Sequence, residues 1–243
     1  MSSTTTITTV AQADKQTSGA SPRDVWEKQI SVLLDQANQH KEPYKAQFGP
    51  HSITIHPTVY SPAYFPETWW YGTHLPAIVN KGSWLEIGVG SGLVSLCIAS
   101  AGSKSVSGVD INPNAVEFTA KNLEANGLKG NFTVSDIFEN VEGKFDFIFW
   151  NHPWQYDSTI PDQLKSEKTH DSEYKLLRRF VAEAKDYLTE KGVMLLGTSA
   201  YANLDAIKSI AESNGYNHKE LLRGQEPIGN DVVEEYYVIE LSK

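Results

Sequence analysis

Three stretches of the chain carry residue types whose spacing permits chemistry. The first, Leu85-Glu86-Ile87-Gly88-Val89-Gly90-Ser91-Gly92, is an apolar run that ends in three glycines spaced two apart. Glycine lets a backbone turn sharply and approach a ligand closely, and open α/β sheets bind nucleosides at the carboxyl ends of their strands. A plain tight connection would use the same residues. The second is a pair of acids, Asp110 at 24 residues after Glu86 and Asp136 at 26 residues further on, each following an apolar run. A carboxylate at the first position can accept from both hydroxyls of a ribose, and one at the second from the exocyclic amine of an adenine. Asp110, just before Asn112-Pro113, also suits a solvated helix start. The G-x-G-x-G spacing lacks the later third glycine of dinucleotide sites, which favours a nucleoside without a pyrophosphate. The third stretch, Asn151-His152-Pro153-Trp154, closes a further apolar run.

These residues need a frame. Short apolar runs at 84–87, 105–110, 132–134, 145–150 and 193–198 alternate with helical patterns at 93–101, 113–126, 173–188 and 204–213. That alternation predicts an α/β fold, a mostly parallel sheet with helices on both faces. Two last strands, 216–222 and 235–241, joined by the polar segment 223–234, are placed antiparallel at the sheet edge. Ahead of this domain, taken as 83–243, a helix starts at Ser21-Pro22-Arg23-Asp24, with Val25, Ile30, Leu33, Leu34 and Ala37 on its inner face, and an extended segment covers 51–60. Residues 21–82 are read as a helical and aromatic cap. Residues 1–20, with seven Thr or Ser among the first nine, are read as a disordered tail.

The strand-ending motifs, in their order over about 58–198, resemble the class I S-adenosylmethionine-dependent methyltransferases, Rossmann-like enzymes with a seven-stranded sheet. Within them the chain is similar to the "small" branch with an N-P-P-Y/F-type motif. The resemblance implies S-adenosylmethionine as cofactor, Glu86, Gly88, Gly90 and Gly92 around its methionine part, Asp110 with Ile111 at the ribose, and Asp136 with Ile137 at the adenine. It implies that the Asn151 side-chain oxygen and the next backbone carbonyl accept from the acceptor nitrogen, while Trp154 stacks on it. His152 departs from the family's proline. Its carbonyl can still accept, and an imidazole of ordinary pKa near 6.5 could take a proton, unless it is merely a histidine beside a lid. Trp154 could instead only cover the core. Pro66-Glu67-Thr68 looks like the P-E-T element of protein-glutamine methyltransferases.

Six of the twelve residues from 60 to 71 are aromatic. Aromatic faces stabilise a sulfonium cation, so Tyr60, Tyr64, Phe65, Trp69, Trp70 and Tyr71 are candidates for a cage, with Tyr60 and Tyr64 first, joined by Thr68, Pro153 and Trp154. Segment 155–171 is polar and turn-rich and is read as a lid.

Of 243 residues, 21 are Lys or Arg and 30 Asp or Glu, a net charge of −9. With six acids against two bases in 220–243, binding a polyanion such as nucleic acid is poorly supported, and a small molecule or an amino-acid-type side chain is the expected acceptor. A single cysteine, Cys97, excludes internal disulfides and fits a cytoplasmic protein. No apolar stretch suits a membrane span, and the histidines lack metal-ligand spacing. The leading reading is transfer of a methyl group to nitrogen. Two others stay open: cyclisation of S-adenosylmethionine to azetidine-2-carboxylate and methylthioadenosine, as by azetidine-2-carboxylate synthases similar to this family, and a non-catalytic binding module. An RNA base amine is a further candidate acceptor.

Overall fold

The computed structural model describes residues 20–79, 81–157, 164, 168–229 and 232–243. The tail read over 1–20 lies outside them except for residue 20, as do most of the residues at the centre of the lid segment.

Helix α1 (Pro22–Ala37) starts where the sequence signals it. The Ser21 hydroxyl accepts from the Asp24 N–H, the Asp24 carboxylate accepts from the Ser21 N–H, and proline follows the cap. Its inner face is Trp26, Ile30 and Leu34, one position round from the expected one, and Val25 is exposed. A hairpin, β1 (Tyr44–Phe48) and β2 (His51–Ile55), and helix α2 (Glu67–Val79) complete the N-terminal part. Neither β1 nor α2 was foreseen.

The alternating units then follow: β3 (Ser83–Ile87), α3 (Leu93–Ser100), β4 (Ser105–Asp110), α4 (Pro113–Ala125), β5 (Asn131–Val134), β6 (Phe145–Asn151), α5 (Lys175–Glu183), β7 (Leu188–Ser199), α6 (Leu204–Ser213), β8 (Asn217–Ile228) and β9 (Val232–Ser242). The sheet order is β5-β4-β3-β6-β7-β9-β8. The first five strands are parallel, and β9 is antiparallel to both its neighbours. The expected Rossmann-like architecture is therefore present. Its chain runs outward from β3 to β5 and returns to the other side of β3 as β6. The loops after β3 and β6 thus diverge to opposite faces and leave a crevice at their carboxyl ends.

Side chains alternate across the central strands. Ile148, Trp150 and Leu196 join Phe180, Ile207 and Ile210 of α5 and α6 on one face. Trp84, Phe149 and Leu195 join Trp26, Trp70, Tyr71 and Leu75 of α1 and α2 on the other. Most of the aromatic run is thus core. Trp69 lies against Phe48, Trp70 against Tyr236 and His74, and the Tyr71 hydroxyl donates to the Thr198 carbonyl at 3.0 Å.

Two regions differ from expectation. The helix read over 173–188 shrinks to α5, because residues 188–191 already belong to β7, where the Thr189 hydroxyl donates to Asp146 at 2.9 Å. The polar connection read over 223–234 is mostly strand. Gly224 and Pro227 look like breakers, yet Pro227 sits on an edge strand, where proline is tolerated in sheets, and Gly224 gives room to the Trp70 indole. A Cβ on Gly224 would meet that ring at 2.4 Å. Gly224→Ala is expected to destabilise the fold by about 1–3 kcal/mol through overpacking, read as a lower urea midpoint with an unchanged slope.

Candidate active site

The crevice opens into a cavity of about 490 Å³, walled by the loops after β3, β4, β5 and β6 and covered by α1 and by the start of α2. Gly88 and Gly90 line it with φ of +66° and +52°, backbone that side chains rarely adopt. A Cβ on Gly90 would meet nothing nearer than Val59 at 3.7 Å, so the loop is a cradle whose space a side chain would fill. Gly92 does not line the cavity. It caps α3 with φ +76°, and its missing Cβ makes room for Thr119, which would stand 2.6 Å away. Packing alone therefore requires a glycine there.

Asp110 sits at the rim. Its Oδ2 accepts the Gly90 N–H at 3.0 Å and its Oδ1 the Asn112 N–H at 2.9 Å. Burial raises its carboxyl, and these N–H groups oppose the shift. The carboxylate therefore braces the glycine loop while keeping lone pairs for a diol. Ile111 beside it lines the cavity although 65% exposed, an apolar face open to a planar ring. Across the rim, Asp136 Oδ2 accepts from Arg179 at 2.9 Å, which holds the carboxylate in place, and Ile137, at φ +50°, is buried in the wall. Glu86 lies deeper, its carboxyl pushed up to about 8 by burial and held partly down by the Ser95 hydroxyl that donates to it.

Asn151, His152, Pro153 and Trp154 line the centre. The Trp154 indole N–H donates to Asn151 Oδ1 at 3.1 Å, so the indole fixes the direction of that amide, an effect neither Tyr nor Phe could supply from its ring. The Tyr174 hydroxyl in turn donates to the Trp154 carbonyl at 2.6 Å and accepts the Asn203 N–H at 3.0 Å. His152 is buried edge-on to Trp150 and Tyr174, with Nε2 3.2 Å from the Thr198 hydroxyl. Burial pulls its pKa down to about 3, so near neutral pH the ring cannot hold a proton taken from an amine. This geometry leaves its backbone, not its imidazole, for the site.

Tyr60 and Thr68 line the cavity, whereas Tyr64 does not. The Tyr64 hydroxyl is engaged by His40 at 2.8 Å, on a ring stacked against Tyr44. Phe65 reaches the site only as the ring on which Tyr60 stacks, at 4.3 Å. The sequence reading named Glu67 only within the P-E-T element and Gln155 and Lys168 only within the lid segment, and it missed Trp26; all four are in the wall.

Residues 53–216 match the family described as Methyltransferase small domain. The chain belongs to this family. A protein of Methanocaldococcus jannaschii, provisionally named a protein N5-glutamine methyltransferase, is 38% identical over 146 residues, 58% of this chain and 73% of the relative. A ribosomal RNA small subunit methyltransferase C of Alcanivorax borkumensis is 32% identical over 48% of this chain, which spans only 32% of that relative. Among solved structures, a T. thermophilus 16S rRNA N2 G1207 methyltransferase in complex with AdoMet and guanosine superposes with a TM-score of 0.60 at 21% identity, covering 83% of this chain and 50% of that one. The protein is an S-adenosylmethionine-dependent methyltransferase by family and fold, and the glycine cradle with the rim acids fits that cofactor. The expectation that nucleic acid is a poorly supported partner is corrected, because several relatives are ribosomal RNA methyltransferases by name. Net charge summed over a whole chain does not describe the face around one cavity. Among the described residues, no helix is long and apolar enough to cross a membrane.

Three buried acids make stability depend on pH. Burial pushes Glu86 and Glu234 up to about 8 and Glu67 up to about 7 from an ordinary 4.5. The folded chain then holds protons that the unfolded chain has lost. Their contribution to stability is full below about pH 4.5 and is lost as pH rises through 7 to 8. Glu86→Gln is expected to shallow that decline, read as Tm against pH for both chains; an unchanged profile would assign the effect to other groups.

Proposed function

We propose that the chain methylates a nitrogen of a protein or RNA substrate, the acceptor being held at Asn151. The observation that carries this is the Asn151 amide oxygen, oriented by the Trp154 N–H at the end of β6 and sharing one cavity with the glycine loop of β3. S-adenosylmethionine, when bound, supplies an electrophilic methyl group on a sulfonium. The residues' work is positioning. Gly88 and Gly90 let the backbone close on the cofactor, Asp110 and Ile111 hold its ribose and ring, and Asp136 with Ile137 reads the adenine edge. Asn151 Oδ1 and the His152 carbonyl accept from the acceptor's N–H, which turns the nitrogen lone pair toward the methyl group. Pro153 keeps that turn fixed. Tyr60 and Trp154 offer aromatic faces to the cation, and Thr68 borders the same space. No strong base is required for a nitrogen that arrives neutral. The relatives' names supply both acceptor classes, a glutamine side chain and a ribosomal RNA base.

A second reading rests on the cover of the site. Trp26 and Ile30 of α1 form part of the cavity wall, which suits an enclosed reaction. Here the amine of S-adenosylmethionine attacks its own carbon next to sulfur. The N–C bond forms, the C–S bond breaks, the nitrogen loses a proton, and azetidine-2-carboxylate and methylthioadenosine leave. Incubation with S-adenosylmethionine alone, with a glutamine-containing peptide, and with a ribosomal RNA fragment separates the readings. S-adenosylhomocysteine formed only with peptide or RNA supports methylation, and methylthioadenosine formed with the cofactor alone supports cyclisation.

If Trp154 orients the acceptor-holding amide, Trp154→Phe should lower kcat about tenfold, the worth of one buried hydrogen bond to a reacting centre, with little change in cofactor affinity. Equal losses in both would make the indole a wall only.

A further inference from the structure

Beyond Asn151 the cavity carries a set of buried polar groups that the proposed transfer does not use. Glu67, at the start of α2, is 1% exposed; the Tyr60 hydroxyl stands near enough to interact with its carboxyl, but its Oε1 has no hydrogen-bond partner among the described residues. Gln155 is 2% exposed, and neither its amide oxygen nor its nitrogen has one. Both side chains belong to residues of the cavity wall. Near Glu67 is Glu234 of β9, also buried, whose Oε1 accepts the Trp26 N–H at 2.7 Å. The Glu67 charge opposes the ionisation of Glu234. No ion pair joins either of them to a cation among the described residues.

A buried acceptor without a partner costs free energy, and two buried acids without a cation must remain largely neutral. A ligand bringing a compact cation with several N–H donors would relieve both costs at once. Trp26, Tyr60 and Trp154 present aromatic surface around the same space, which suits such a cation further. We propose that Glu67, backed by Glu234 and flanked by Gln155, forms an ammonium subsite, whose occupant is an amine of the ligand in the cavity. This proposal rests on the reading of that cavity as the cofactor and acceptor site. One chemistry has two sources here: the α-ammonium of the cofactor's amino-acid end or an amine of the acceptor. Lys168, which also lines the cavity, supplies a charge of the sign that a carboxylate beside that ammonium would meet.

The test is a calorimetric titration of the full chain and of its Glu67→Gln and Glu234→Gln variants with S-adenosylhomocysteine and with its desamino analogue, which lacks only the ammonium. A parallel titration follows tryptophan fluorescence as methylammonium is added to the S-adenosylhomocysteine complex. If the cofactor fills the subsite, loss of the amine weakens wild-type binding about tenfold or more, the scale of one charge-assisted hydrogen bond, and Glu67→Gln abolishes that difference. If the acceptor fills it, the two nucleosides bind alike, and saturable quenching by methylammonium is lost in Glu67→Gln. Melting curves establish that each variant folds, and Glu234→Gln, which leaves Glu67 in place, should weaken the same response to a lesser degree. The subsite is overturned if neither ligand pair nor cation distinguishes wild type from Glu67→Gln while S-adenosylhomocysteine still binds. Failure of that nucleoside to bind wild type at all would overturn the cavity reading itself.

Discussion

Asn151→Ala is expected to reduce methyl transfer about a hundredfold or more, the typical cost of removing one preorganised polar group from a reacting centre, while cofactor affinity stays close to wild type. The reason lies in where the side chain stands. Its Oδ1 is at the mouth of β6 with its direction set by Trp154, and none of the ribose or adenine partners depends on it. Alanine removes the acceptor for the incoming N–H but leaves the glycine cradle intact. The Trp154 indole then loses its partner in a nearly buried position, so a modest fall in Tm is also expected. The check is kcat and cofactor Kd measured on the same preparation. A parallel loss in both would transfer Asn151 to cofactor binding, and unchanged turnover would remove it from the mechanism.

Asp110→Ala should do the reverse, weakening S-adenosylmethionine and S-adenosylhomocysteine alike by about tenfold to a hundredfold, the worth of one or two hydrogen bonds to a charged group. Two effects add here. The diol acceptors disappear, and the Gly90 and Asn112 N–H groups lose the carboxylate that holds the loop at positive φ. Asp110→Asn separates them. An amide oxygen can still take one of the loop bonds but is a poorer acceptor for two hydroxyls, so its binding should fall between alanine and wild type. Equal affinities for all three chains, by calorimetry, would show that the ribose is held elsewhere.

The carboxyl-edge residues were legible because their signals are local. Gly88, Gly90, Asp110, Asp136 and Asn151 each stand where an apolar run stops, and the structure brings all five to one cavity. What the sequence concealed is non-local or ambiguous in period. Helix α2 buries Glu67, Trp70, Tyr71, Gly72, Leu75 and Val79 and contains Pro76, so it shows little of the polar-apolar alternation that marks a surface helix. Its aromatic density read as a cage although most of those rings are core. Trp26 meets Glu234 across 208 positions, and no local pattern reports such a contact. Gly92 has a packing reason of its own to be glycine, and a glycine required by Thr119 and one required by a nucleoside look alike in sequence. His152 looked like a proton acceptor because burial, which lowers its pKa to about 3, is invisible until the sheet is assembled.

The central claim is one of placement: the cofactor spans the carboxyl edge from Asp136 to Asn151. A crystal structure of the chain grown with S-adenosylhomocysteine tests it directly. Density with the ribose hydroxyls on Asp110, the adenine between Ile111 and Ile137, and the sulfur facing Asn151 is the predicted result. Density for the nucleoside anywhere else on the chain, with the β3–β6 crevice holding only solvent, would contradict it.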